Sequence, residues 1–207
     1  MKGFFVTGIH TGIGKTVISA ILVEALRADY WKPVQSGGMD YTDSDFIRGH
    51  AVHFKTIHPE AFKLKEPVSP HYAAELEGKV IEVPEILCPK TDNLLIAEGA
   101  GGILSPLSAE YLVADLARHL KLPIILVSMN YLGSINHTLL SIEALRSRDL
   151  EVAGIIFNGM ANPASEEYIL NYSGLKRLGS VPFTDKIDSA FISFHSEKFE
   201  KLHELVG

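Results

Sequence analysis

Short uninterrupted apolar runs alternate along this chain with longer stretches in which apolar residues recur every three to four positions. Phe4-Phe5-Val6, Leu94-Leu95-Ile96-Ala97, Pro123-Ile124-Ile125-Leu126-Val127 and Val152-Ala153-Gly154-Ile155-Ile156-Phe157 are of the first kind and predict strands buried on both faces. Val17 to Leu26, with Ile18, Ile21, Leu22 and Ala25 in helical register, is of the second kind. So are Tyr111 to Leu120 and the stretch after Thr138 through Leu139, Leu140, Ile142 and Leu145. Tyr30 to Val34 reads as a short second strand ended by Gln35-Ser36-Gly37-Gly38, and Leu178 to Val181 as a late one. Shorter helices are predicted at Tyr72–Leu76, Glu85–Leu87 and Glu166–Leu170, with an amphipathic helix near Glu197–Leu205. Residues 50–90 are the least regular, and Pro67 and Pro70 argue for a loop from Glu66 to His71 lying over one face. Strand alternates with helix throughout, with no internal repeat, low-complexity tract or linker. That order predicts one α/β domain over residues 1–207: a doubly wound, mainly parallel sheet with right-handed crossovers and helices on both faces.

The chemistry enters where the first strand meets the first helix, at Gly8-Ile9-His10-Thr11-Gly12-Ile13-Gly14-Lys15-Thr16. A glycine-rich turn in this position points successive backbone N–H groups at one spot, at the positive end of a helix dipole. Polyphosphate fits there. Lys15 adds a mobile cation for the β- and γ-phosphates, and Thr16 a hydroxyl ligand for Mg²⁺. The common form of this loop has four residues between its first glycine and Gly-Lys-[Ser/Thr], whereas Gly8 and Gly14 have five between them.

Composition narrows the class. The chain has 207 residues, 46% hydrophobic and 21% charged, with a net charge of −6. A core of full size is available, and an acidic balance argues against general nucleic-acid binding. No apolar run reaches the roughly 18–20 residues of a membrane helix, and the chain enters a strand rather than a signal peptide. With one cysteine, Cys88, no internal disulfide is possible. A cytoplasmic location is the expectation, with no membrane partner.

Four further groups qualify as ligands. Lys32 and Ser36 fall near the carboxyl end of the second strand, where open parallel sheets gather their ligands, although a solvent lysine and a turn serine read equally well. Asp43 and Asp45 follow Thr42, and Thr42 or Ser44 caps a helix there. Capping uses one carboxylate and leaves another for Mg²⁺. Glu98 tips the buried strand Leu94–Ala97 ahead of Gly99-Ala100-Gly101-Gly102, the Walker B arrangement with Glu in place of Asp. Asn158, at the end of another strand, offers donor and acceptor groups suited to a base edge, and a turn Asn is the alternative. His50, His53 and His58 lack the cysteines or tight ligand pairs of a metal site and read as surface histidines.

Taken in order, these residues resemble the dethiobiotin synthetase family, whose phosphate loop Gly-Thr-Asp-Thr-x-Val-Gly-Lys-Thr has the same five-residue spacing. The family's Lys-Pro-Val-x-Ser-Gly appears as Lys32 to Gly37, its Ser-Asp as Ser44-Asp45, and its Glu-Pro-x-Ser-Pro-His as Glu66 to His71. Glu-Gly-Ala-Gly-Gly appears as Glu98 to Gly102 and Leu-Gly-x-Ile-Asn-His as Leu132 to His137. His10 stands where the family usually has Asp. The resemblance implies a P-loop NTPase type fold and ATP- and Mg²⁺-dependent closure of a ureido ring on 7,8-diaminononanoate with CO₂. It implies nucleotide contacts from Gly12, Ile13, Gly14, Lys15, Thr16 and Val17, with adenine facing Asn158 and Pro182. It assigns Mg²⁺ to Thr16, Asp45 and Glu98, and catalysis to Lys15, Lys32 and Thr11. Substrate contacts fall to Thr11, Lys32, Ser36 and Gly99. The family works as a homodimer, so Gly133, Ser134, Asn136 and Tyr168 are implied to meet the substrate across the interface.

A competing reading is a nucleotide-driven switch of the partition or septum-positioning kind. Those proteins carry a second lysine five residues before the loop lysine, where this chain has His10. A relative with an altered substrate, motivated by His10, is the third reading.

Overall fold

The computed structural model describes residues 2–206. Its main sheet has seven strands in the order β4-β2-β6-β1-β7-β8-β9, and every pairing between named strands is parallel. The strands are β1 Gly3–Gly8, β2 Asp29–Trp31, β4 Ile57–His58, β6 Leu95–Gly102, β7 Ile124–Met129, β8 Val152–Asn158 and β9 Arg177–Val181. A second sheet pairs β3 Val34–Ser36 with β5 Phe62–Leu64. The helices are α1 Lys15–Leu26, α2 Asp43–His50, α3 Pro70–Leu76, α4 Val113–Leu120, α5 Ser134–Arg146, α6 Pro163–Ser173 and α7 Ser189–Ser196.

The apolar runs are continuous because both faces of the sheet are covered. Phe4 and Val6 of β1 and Ile96 of β6 enter one core, with Ile18, Ile21 and Leu22 of α1. Phe5, Leu95 and Ala97, one position out of phase, enter the other with Val113, Leu116 and Ala117 of α4. The larger of these side chains contribute roughly 1.5–3 kcal/mol each on leaving water, so burial on both faces holds the strands between the two helix layers.

Topology then gathers the site. The chain leaves β1 through α1 toward β2 on one side, returns to β6, and crosses through α4 to β7 on the other side of β1. The carboxyl ends of β6, β1 and β7 therefore surround the point where the winding reverses, the position at which open α/β sheets bind ligands.

Several local expectations are corrected. The segment Tyr30–Val34 is not one strand: it breaks at Lys32-Pro33 into β2 and β3, which lie in different sheets. A proline cannot donate to a ladder, and it pushes Lys32 out of regular pairing. Pro70 begins α3, where its missing N–H costs nothing. The region 50–90 contains β4 and β5, and the predicted turn of helix at Glu85–Leu87 is a 3₁₀ segment at Val83–Glu85. Glu197–Val206 is 3₁₀ rather than α-helical and packs on α1 with α7.

Candidate active site

The loop from Gly8 to Gly14 wraps around the amino end of α1. Gly14 caps the helix at φ +85°, and an added Cβ would lie 2.1 Å from the Asn158 amide nitrogen. Among the described residues the backbone N–H groups from Gly12 to Val17 have no hydrogen-bond acceptor; the first helical bond runs from Ile18 N–H to the Gly14 carbonyl. Successive free amides around a helix amino terminus fit a polyphosphate. Asn158 crosses from the end of β8 to donate to the Ile13 carbonyl at 2.8 Å, tying the loop to the sheet. Its amide nitrogen therefore supports the loop, and its Oδ1 is the group left for a ligand. Pro182 is exposed just beyond β9.

Charged groups converge beside the loop. Lys32 is buried, and its Nζ lies 2.6 Å from Asp43 Oδ2 and 2.8 Å from Glu98 Oε1, and donates to the Gly99 carbonyl at 3.2 Å. Thr16 Oγ1 lies 3.0 Å from Asp43 Oδ1 and 3.1 Å from Glu98 Oε1, within reach of donating to either. Burial by itself would lower the Lys32 pKa, but Glu98 and Asp43 outweigh it and hold the ammonium charged. Asp43 is pushed upward by burial and, more strongly, downward by Lys32 and Thr16, so it stays ionised. Lys15, lacking so close a carboxylate, is lowered to about 8 by burial and by the charge of Lys32. Its Nζ donates to the His10 carbonyl at 3.1 Å.

Asp45 is a correction. It was expected beside the metal, but it accepts from the Thr42 backbone N–H and hydroxyl at 3.0 and 2.8 Å and pairs with Arg48 at 2.6 Å. Thr42 is the N-cap of α2 and Asp45 its third residue, so the two close a capping box. The helix then turns Asp43, not Asp45, toward Thr16. Two carboxylates and a hydroxyl, completed by nucleotide phosphates, form an oxygen set suited to Mg²⁺. Lys15 and Lys32 are matched in number by the carboxylates Asp43 and Glu98. Among the described residues no group of three His, Cys, Asp or Glu side chains forms a metal cluster on its own.

The remaining sites divide. Thr11 lies at the junction of two clefts. One, of about 690 Å³, holds Lys15, Thr16, Lys32, Asp43 and Glu98; the other, of about 460 Å³, runs past His10, Leu104, His137 and Leu140. Ser36 lines the first cleft, but its hydroxyl is placed to donate to the Glu66 or Val68 carbonyl, so it latches the 66–70 loop over the site. Gly99 is buried, and a Cβ there would press on the Phe5 ring at 3.0 Å. Gly133 caps α5 at φ +97°, and the Ile135 and Asn136 amides have no acceptor among the described residues. Ser134 is buried, while Tyr168 is exposed and stacks on Tyr172 of the same helix. His10 is exposed, its Nδ1 donating to the Thr11 carbonyl at 2.6 Å. Of the three histidines read as surface residues, His58 is largely buried against Asp29, whereas His53 is half-exposed and pairs with Glu24. Tyr30, which nothing in its local sequence distinguishes, donates its phenol to Glu98 Oε2 at 3.0 Å.

A family model described as an AAA domain matches residues 2–190. The ATP-dependent dethiobiotin synthetase BioD of Cytophaga hutchinsonii is 48% identical, over 99% of this chain and 100% of its own. That of Christiangramia forsetii is 44% identical over 97% of each chain. The chain belongs to the dethiobiotin synthetase family. Among solved structures, the MinD cell division ATPase of Pyrococcus furiosus superposes with a TM-score of 0.62 at 15% identity, covering 98% of this chain and all of that one. The Mg-ADP complex of the septum site-determining protein MinD from Pyrococcus horikoshii gives 0.59 at 14%, covering 99% of each chain. These two likenesses show the shared fold alone, and the dethiobiotin synthetase family accounts for the motifs placed on it.

Proposed function

We propose that this protein closes the ureido ring of dethiobiotin from 7,8-diaminononanoate and CO₂ at the expense of ATP. The observation that carries the proposal is identity of 44–48% to dethiobiotin synthetases along nearly the whole of both chains, and the charged cluster beside the phosphate loop supports it. In this reading one amine of the diamine takes up CO₂ as a carbamate. A carbamate oxygen attacks the γ-phosphorus and releases ADP, giving a carbamic-phosphoric anhydride. The second amine attacks the carbamoyl carbon and expels phosphate, closing the ring. Phosphoryl transfer of this kind calls for alignment and charge neutralisation more than for a strong base.

The residues divide that work. Amides from Gly12 to Val17 hold the phosphates, and Lys15 leaves the His10 carbonyl to reach the β,γ-oxygens. Thr16, Asp43 and Glu98 would hold Mg²⁺, which when bound would neutralise polyphosphate charge. Asp43 takes the place first assigned to Asp45. Lys32, already charged and buried, faces the carbamate and the transferring phosphoryl group, and Thr11 hydrogen-bonds the diamine end. Ser36 shapes the site through the loop it latches. Asn158 Oδ1 and the backbone near Pro182 face adenine.

A homodimer completes the site. Leu132, Leu140, Met160, Tyr168 and Tyr172 are exposed on α5, α6 and the segments leading into them, an apolar face suited to a second copy. The Gly133–Asn136 helix start would then receive the carboxylate of substrate bound to the neighbouring subunit. Such an enzyme works in the cytoplasm.

The test follows ADP release with ATP, Mg²⁺ and bicarbonate, with and without the diamine, and detects dethiobiotin by mass spectrometry. ADP and dethiobiotin should appear together and only with the diamine, and Lys15→Ala and Glu98→Ala should abolish both. ADP released at the same rate without the diamine, with no ring product, would sink the proposal and bring forward a nucleotide switch.

A further inference from the structure

Glu98 is almost completely buried, and a glutamate there carries one more rotatable bond than the aspartate usual at this position. Something must fix its carboxyl group. Oε1 faces Lys32 Nζ at 2.8 Å and Thr16 Oγ1 at 3.1 Å, on the side of the phosphate loop. Oε2 points the other way and accepts the Tyr30 phenol at 3.0 Å. Tyr30 stands on β2, paired with Ile96 of β6, so its ring lies beside the strand that carries Glu98, two residues on and on the same face. The ring is fully buried. A phenylalanine would fill the same space, so the hydroxyl needs its own explanation. Burial, and then the charge of Glu98, push the phenol pKa well above its ordinary value, which keeps it a donor.

We propose that Tyr30 is a positioning residue: by holding Glu98 Oε2 it sets the carboxyl plane so that Oε1 faces Thr16, ready to serve the metal. The proposal rests on the reading that Thr16, Asp43 and Glu98 hold the divalent cation. It does not depend on the identity of the diamine. Donors behind a metal-binding carboxylate commonly change affinity by about 10–100-fold when removed.

The experiment titrates Mn²⁺ into the full-length protein saturated with ADP and reads free Mn²⁺ by electron paramagnetic resonance. Tyr30→Phe is expected to weaken Mn²⁺ binding about tenfold, while ADP affinity in EDTA stays within twofold and the far-ultraviolet circular dichroism is unchanged. Mn²⁺ affinity within twofold of the parent would overturn the proposal. So would an equal loss of metal-free ADP binding, since that reports general damage to the site. Glu98→Gln separates the two readings. If it weakens Mn²⁺ and Tyr30→Phe does not, Tyr30 is only core; if neither does, the assigned cation set itself is wrong. The double variant should bind Mn²⁺ no more weakly than Glu98→Gln alone, because Tyr30 acts through the carboxylate. A further loss of more than twofold in that background overturns the proposal. Should Tyr30→Phe alone not fold, the Glu98→Gln pair carries the test, because the buried charge left without its donor is absent there.

Discussion

Asp43 and Asp45 sit two positions apart and so about 200° apart around a helix, which means that one of them at most can face Thr16. Asp43 does, at 3.0 Å. Removing each should therefore fail differently. Asp43→Ala is expected to cut turnover at least a hundredfold and to raise the Mg²⁺ needed for half-maximal rate. Asp45→Ala should leave turnover within about twofold and instead lower the melting temperature by a few degrees, as lost helix caps do. Steady-state rates and thermal melts of the two variants decide the assignment. The signal for the right choice was in the chain: Thr42 followed three residues later by an acid is the spacing of a capping box. Reading Ser44-Asp45 as a motif obscured it. Nothing local distinguishes Tyr30, because its partner Glu98 lies 68 residues away. Lys15 gives a second prediction. Its ammonium titrates at about 8, and phosphate oxygens will favour the charged form. ADP binding at pH 8 should take up a fraction of a proton, visible by calorimetry in buffers of different ionisation enthalpy. Affinity should fall as pH rises further. Lys15→Met should abolish the uptake.

The elements that carry the site are those with the plainest sequence signals, since a strand buried on both faces and a helix at 3.6-residue spacing each leave a period to read. β1, α1, β6, β7, α5 and β8 were all legible for that reason, and so were Lys15 and Thr16 at the start of α1; Glu98 was expected at the tip of its strand, but β6 runs on through the glycines to Gly102 and places it mid-strand. β4 and β5 were not, being only two and three residues long. The break at Lys32-Pro33 was marked by its proline, yet the apolar flanks outweighed that cue. This break has a consequence for the site. It frees Lys32 from strand geometry, and its side chain can reach Asp43, Glu98 and Gly99 from the edge of the cleft. The turn between β1 and α1 depends on backbone shape more than on side chains. Gly14→Ala would place a Cβ 2.1 Å from Asn158 Nδ2 in a left-handed conformation, where an L-residue costs about 1–2 kcal/mol. The loop must shift and the Asn158–Ile13 tie must stretch. ADP affinity should fall at least tenfold with little change in far-ultraviolet circular dichroism, and unchanged affinity would show that the loop does not need this shape.

At the scale of the whole molecule, two carboxylates far from the cleft hold its least regular part. Glu24, on α1, accepts from the Val52 and His53 amides at 2.6 and 2.9 Å and lies 2.5 Å from the His53 ring. Asp29, at the start of β2, accepts from the Thr91 hydroxyl, the Asn93 amide and the His58 ring. They bind residues 52–58 and 91–93 to the body near the amino ends of the strands, so the loops that frame Lys32 and Asp43 start from fixed points. Burial alone would raise both carboxyls. Hydrogen bonds outweigh it, led by the His53 amide for Glu24 and the Thr91 hydroxyl for Asp29, and both pKa values lie below the ordinary ones. The sign follows: an acid whose folded pKa is depressed stabilises the fold fully above its unfolded value, near 4, and loses that contribution as pH falls through the folded value. Urea denaturation should therefore give a stability that is level above about pH 5 and declines steeply below about pH 4. Glu24→Gln should lower the plateau, since an amide accepts fewer hydrogen bonds than a carboxylate, and should also make the acid decline shallower by removing one titrating group. A lower plateau with an unchanged acid slope would mean that Glu24 serves as packing and that its ionisation is not linked to folding.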